Sequence, residues 1–213
     1  MISKYGIVRP SARRVSEAVQ SVVKDYARGG IQEEPDFTSR MLQAIQGAMN
    51  ETTLKGVLWQ SVVTTSRGPN TQERAMGADF MGVLSIDLPD YKVRKGFLAQ
   101  AKRGDHLRGH EMTRLQEQCE RMLSLTPESY VFLYKRDSVR VLPAISVLSA
   151  NVRELTDLYN WSIQIFFESH LESFIGDRRL SAASRDQLEG LLREYGVTHG
   201  LYLAAKQGDM LPE

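Results

Sequence analysis

Cysteine is almost absent from this chain: Cys119 is the only one among 213 residues. A lone thiol makes no internal disulfide and no multi-cysteine zinc site, which fits a reducing compartment such as the cytoplasm. Its place in an apolar helical stripe makes it a buried thiol rather than a nucleophile. Long apolar runs are missing as well. No stretch of about 18 apolar residues occurs, so no membrane partner is expected. The opening MISKYGIVRPSARR has no apolar core of a secretory signal. Neither sign of charge is in excess. Lys and Arg number 27 against 26 Asp and Glu, a formal net charge of +1, so any affinity for nucleic acid has to come from a local patch. No Walker-type phosphate loop, GxSxG or GxGxxG occurs, which removes the sequence marks of P-loop NTPases, α/β-hydrolases and dinucleotide-binding enzymes.

What is present is an ordinary globular composition, 42% hydrophobic and 25% charged, long enough for one domain with extensions. After a short lead-in, Ser11 reads as an N-cap. Val15, Ala18, Val19, Val22, Val23 and Tyr26 then recur at helical spacing until Gly29-Gly30 stops the pattern. A second helix is expected from Asp36, its cap, with Phe37, Met41, Leu42, Ile45 and Met49 as the apolar stripe. Lys55 to Ser66 is rich in β-branched residues and reads as a strand, followed by a polar loop from Arg67 to Arg74. Leu107 to Leu125 carries a helical stripe of Met112, Leu115, Cys119, Met122 and Leu123. It lies between strands, as a crossover helix would, the second strand being Tyr130 to Arg136. Val139 to Leu148 reads as extended, with Pro143 at an edge or a strand end. Asn151 reads as the cap of a long helix to about Phe174. A short helix over Arg185 to Tyr195 and a last strand over His199 to Ala205 follow. The expected division is an N-terminal helical extension over 1–30, a core over 31–148, and a C-terminal helical extension over 149–213 packed on that core.

The stretch from Gly77 to Arg103 has the residues for chemistry. It reads as a β-hairpin turning at Pro89-Asp90, because proline presets φ and aspartate tolerates turn geometry. Folding about that turn brings Asp79 beside Gln100 with no bulge. Alternation along a strand then points Gln100 and Lys102 the same way. An acid, an amide and a lysine converge at one end of the ribbon, a set suited to a hard metal ion beside a phosphate. Asp87 and Asp90 read as turn acids. Glu33 and Glu34 precede the second helix, where carboxylates are stabilised by the helix dipole or reach the hairpin site.

The order helix, strand, hairpin, helix, strand resembles the PD-(D/E)xK nuclease superfamily over about residues 32–148. The supporting features are a Glu at the first helix, Asp79 at the start of the second strand, and the triplet Gln100-Ala101-Lys102 ending the third. Glutamine stands where most members carry Asp or Glu, which is similar to the Mrr-like QxK branch of restriction endonucleases. Ala78 replaces the family's proline. The resemblance implies an α/β fold with an αβββαβ restriction endonuclease-like core, a mixed sheet flanked by helices. It implies a Mg²⁺-dependent endonuclease, with Mn²⁺ as a substitute, acting on double-stranded DNA in restriction or anti-phage defence. Asp79, the Gln100 side chain and the Ala101 carbonyl would hold the metal. Lys102 would orient or activate water, or neutralise charge developing on phosphorus. Glu34, with Glu33 as its substitute, would hold a metal-bound water or a second ion.

Arg67 and Arg74 of the polar loop, and Arg103, His106 and Arg108 at the hairpin exit, are the candidate DNA contacts. Lys92, Arg94, Lys95 and Lys102 extend the basic run; it reads either as a solvated strand face or as a track for phosphates. His106 and His110 are spaced i, i+4, but Gly109 lies between them and no third ligand is evident, so phosphate contact or plain surface is expected over zinc. Gln116 and Glu117 are candidates to face the site from the crossover helix. A homodimer is the simple expectation for cutting both strands, with a partner protein supplying targeting or activation. The competing expectation is a catalytically weak or inactive nuclease fold that binds nucleic acid or a partner protein, motivated by Gln100.

Overall fold

The structure is a computed structural model that describes residues 5–31, 33–66, 77–104, 107–149 and 155–208. Helix α1 (Val8–Ala27) buries Ala12, Val15, Val19, Val22 and Val23 along one stripe. It begins three residues before Ser11, whose N–H already bonds to the Ile7 carbonyl at 2.9 Å. Pro10 falls within the first turn, where no N–H is needed. Helix α2 (Glu34–Met49) likewise starts before Asp36, with Pro35 in its first turn and Glu33 as the N-cap residue. That early start puts Glu34 on the helix.

Eight strands form one mixed sheet. Strand β1 (Thr52–Leu54), absent from the sequence reading, pairs with β2 (Val57–Thr65) across Lys55-Gly56. Both residues of that two-residue turn have positive φ, 49° and 77°, matching the twist of a tight hairpin. Strands β3 (Phe80–Leu88) and β4 (Tyr91–Arg103) form the expected hairpin, Leu88 opposite Tyr91 and Phe80 opposite Ala99, with Pro89-Asp90 as the turn. Helix α3 (His110–Leu125) then crosses to β5 (Ser129–Tyr134), which pairs parallel to β4 as expected of a crossover. Strand β6 (Val139–Pro143) ends at its proline and gives way to α4 (Ala144–Ser149), so Val139–Leu148 is only half extended.

The proposed Asn151 cap lies outside the described residues. The long helix expected after it is corrected. A 3₁₀ turn at Leu155–Asp157 and the two-residue strand β7 (Trp161–Ser162) precede α5 (Ile163–Leu171). Local polar groups make the break. Asn160 donates to the Leu158 carbonyl at 2.8 Å, and Ser162 Oγ caps α5 by accepting the Ile165 N–H. Helix α6 (Arg185–Glu194) and β8 (His199–Gln207) complete the chain.

The sheet order is β1-β2-β8-β3-β4-β5-β6-β7. The expected C-terminal helical extension therefore supplies an interior strand. β8 lies between β2 and β3, antiparallel to the first and parallel to the second. Its run Leu201-Tyr202-Leu203-Ala204-Ala205 is apolar on both faces, as burial between two helical layers requires. One layer is α1, α2 and α5, packed on an aromatic cluster that includes Phe97, Phe132 and Phe166. The other is α3, α4 and α6, where Cys119 is fully buried. The molecule is thus α/β, a mixed sheet between helices, and no described helix is long and apolar enough to cross a membrane.

Candidate active site

The free end of the β3–β4 hairpin opens into a cleft of about 560 Å³, lined by the start of α2, one face of α3 and the residues entering β8. The hairpin register continues one step past its last pair. The Asp79 N–H donates to the Ala99 carbonyl at 2.8 Å, which sets its side chain beside Gln100. Asp79 Oδ2 accepts Gln100 Nε2 at 2.6 Å and the Ala101 N–H at 2.9 Å. Burial pushes the Asp79 carboxyl up to about 6, against the downward pull of the Ala101 N–H, the Lys102 ammonium and the Gln100 amide.

Lys102 is buried and its Nζ donates to Glu34 Oε2 at 3.0 Å, while Glu34 Oε1 accepts the Arg103 N–H at 3.1 Å. One carboxylate thus ties the first turn of α2 to the end of β4. Of the two upstream glutamates, the structure brings in Glu34; Glu33 lies exposed at the cleft rim. Gln100 is itself buried, and its Oε1 has no hydrogen-bond partner among the described residues. A buried acceptor with no donor is costly, and one beside a carboxylate suits a cation.

Gly77 fixes the far wall. Its φ is +86°, and a Cβ there would lie 2.4 Å from the Gln118 carbonyl oxygen on α3. The helix backbone can approach β3 this closely only at a glycine. Three side chains of α3 then face the cleft, Glu111, Arg114 and Gln118. This corrects the expectation for Gln116 and Glu117. Gln116 does not line the cleft, and Glu117 is exposed and paired with Arg121. The face was readable in principle. Positions 111, 114 and 118 follow helical spacing and run beside the apolar stripe Leu115, Cys119 and Met122. Thr198 and His199 line the cleft from the opposite side. The His199 N–H donates to the Asp79 carbonyl at 3.3 Å, and burial lowers the pKa of its ring. Neither residue was expected, because their proximity depends on where β8 enters the sheet.

The candidate DNA contacts divide. Arg67, Arg74 and His106 lie outside the described residues. Arg103 has its guanidinium over the Tyr26 ring, 5.9 Å from the centroid. Arg108 is exposed just ahead of α3, outside the cleft lining, and His110 is exposed in the first turn of that helix. The basic run does not form one track. Lys92 pairs with Asp87 at 2.8 Å, Lys95 is buried with its Nζ on the Ile175 carbonyl at 2.7 Å, and Lys102 is buried against Glu34. Strand alternation and the segment crossing Gly96 through Asp177 separate these cations. Among the described residues no group of three or more His, Cys, Asp or Glu gathers as a metal cage. Comparison of the chain with protein-family models, curated proteins and solved structures returned no match.

Proposed function

We propose that this chain is a metal-dependent phosphodiesterase that cuts DNA, with a site of PD-(D/E)xK type. The observation that carries the reading is the convergence of Asp79, Gln100, Lys102 and Glu34 on one cleft around an unpartnered Gln100 oxygen. The residues fit Mg²⁺, or Mn²⁺ in its place. Asp79, Gln100 Oε1 and the Ala101 carbonyl would hold it, all oxygen donors of the type a hard cation takes. When bound there, the ion supplies Lewis-acid polarisation of a phosphoryl oxygen.

The chain's own groups do the rest. Above pH 6 Asp79 is an anion, ready for a cation without first losing a proton. Lys102 uses one proton on Glu34 and has others for a non-bridging phosphate oxygen, whose charge grows as water bonds to phosphorus and the ester P–O bond breaks. Glu34 holds the ammonium in place, so little reorganisation accompanies that charge development. Cutting both strands takes two such sites, so the reading includes a homodimer or a partner protein that targets the chain. The test is plasmid cleavage with Mg²⁺ and with Mn²⁺, wild type beside Lys102→Ala, with EDTA as control. Cleavage lost in both the variant and the chelator supports the reading. Residual cleavage equal to wild type in Lys102→Ala sinks it.

One observation favours a second reading, a binding-only protein. Among the described residues, the carboxylates hydrogen-bonded at the hairpin end are those of Asp79 and Glu34, and the third position is the neutral Gln100. Calorimetric Mg²⁺ binding that is lost in Asp79→Asn would count against it.

A further inference from the structure

The cleft lining carries an excess of negative charge. Glu33, Glu34, Asp79 and Glu111 face two fixed cations, Lys102 and Arg114. Lys102 pairs with Glu34 and has its remaining protons for the scissile phosphate. Arg114 forms no hydrogen bond or ion pair with any described residue, although its helix neighbour Arg121 pairs with Glu117. A cation on a cleft wall that leaves even the adjacent Glu111 unengaged is available for an external anion. Its position is fixed with respect to the proposed chemistry. Gln118 is pressed against Gly77, two residues before Asp79. Arg114 lies four residues earlier on the same helix face, about 6 Å along the axis. A metal at Asp79 and a guanidinium one turn away on the facing wall would engage different phosphates of one chain.

Resting on the phosphodiesterase reading, we infer that Arg114 is a substrate-binding residue that grips a phosphate beside the scissile one, so the cleft takes polynucleotides in preference to isolated phosphodiesters. The planar guanidinium suits a phosphate, to which it donates two parallel N–H bonds.

The test reads binding and cleavage separately. Binding of a short duplex oligonucleotide is followed by fluorescence anisotropy in Ca²⁺, between about 50 and 200 mM salt, for wild type, Arg114→Gln and Arg114→Lys. Arg114→Gln is expected to weaken binding about tenfold and to lower the salt slope by about one, while Arg114→Lys keeps the slope. An unchanged slope in Arg114→Gln, or a wild type that does not bind, overturns the inference. In Mg²⁺, the preference for oligonucleotide over bis(p-nitrophenyl) phosphate, taken as a ratio of kcat/KM, is expected to fall about tenfold in Arg114→Gln. An unchanged ratio with an active wild type overturns the inference and leaves the hydrolytic reading standing. Arg114-dependent binding with no cleavage of either substrate by wild type does the opposite. Because Arg114 is exposed, thermal melts of the variants are expected to overlay wild type.

Discussion

Replacing Asp79 by asparagine is expected to stabilise the metal-free protein at neutral pH while abolishing its response to Mg²⁺. The magnitude follows from the carboxyl's displacement from 3.8 to about 6, caused first by burial. The folded state holds this proton more tightly than the unfolded state. Stability from this group is therefore fully present below pH 3.8 and is lost as pH rises through 6. About two pH units correspond to about 3 kcal/mol. Asparagine does not titrate, so the variant escapes that loss. Its Oδ1, in the place of Oδ2, still accepts both the Ala101 N–H and the Gln100 amide N–H. Urea unfolding in EDTA at a series of pH values isolates the effect, because carboxylates remote from Asp79 cancel in the difference between the two proteins and Glu34 is the coupled exception. Near pH 3.5 the two are expected to differ little. At pH 8 Asp79→Asn is expected to be more stable by about 1–3 kcal/mol. Added Mg²⁺ then narrows the difference by stabilising wild type alone; a concentration ten times the Kd contributes about 1.4 kcal/mol. A difference that does not change between pH 4 and pH 8, or a variant less stable at pH 8, refutes the reasoning.

Gln100→Glu removes the donor to Asp79 and sets two carboxylates in contact, so the apo protein is expected to lose about 1–3 kcal/mol at pH 8, recovered by Mg²⁺; denaturant melts with and without chelator check this. Gly77→Ala forces a Cβ to 2.4 Å from the Gln118 carbonyl at a φ of +86°, and is expected to cost at least about 2 kcal/mol. If its unfolding midpoint matches wild type, the close approach of α3 to β3 is wrong. Burial holds the Cys119 thiol up to about 12, so a thiol reagent at pH 8 is expected to label it only in denaturant.

The hairpin was legible because antiparallel pairing across a two-residue turn is arithmetic. Once Pro89-Asp90 is the turn, Phe80 faces Ala99 and Asp79 lies next to Gln100. Helix α3 was legible as a crossover because its stripe has a period of 3.6 and its flanks alternate. Its cleft-facing side was placed one to two residues off. A shift of one residue turns a helix by about 100°, and the choice between Gln118 and Glu117 depends on the contact with Gly77. Lys95 read as part of a basic surface and is buried, because the bridge between Gly96 and Asp177 lays a remote segment beside it. The stretch from Asn151 to about Phe174 read as one long helix from its apolar breadth, whereas Ser162 and Asn160 offer local hydrogen bonds that end one element and start another.

By itself, then, the amino-acid order determined what is local: the stripes of α1, α2 and α3, the β3–β4 turn, and the meeting of Asp79 with Gln100. Each follows from spacing along the chain and from the two periods of the polypeptide backbone. Only the tertiary structure decided that Glu34 rather than Glu33 pairs with Lys102. It alone decided that β8 enters between β2 and β3 and carries His199 to Asp79, and that Arg114 stands on the opposite wall. The Lys102–Glu34 and His199–Asp79 contacts join residues 68 and 120 positions apart. They are set by which apolar faces bury against each other, a choice that no local spacing encodes.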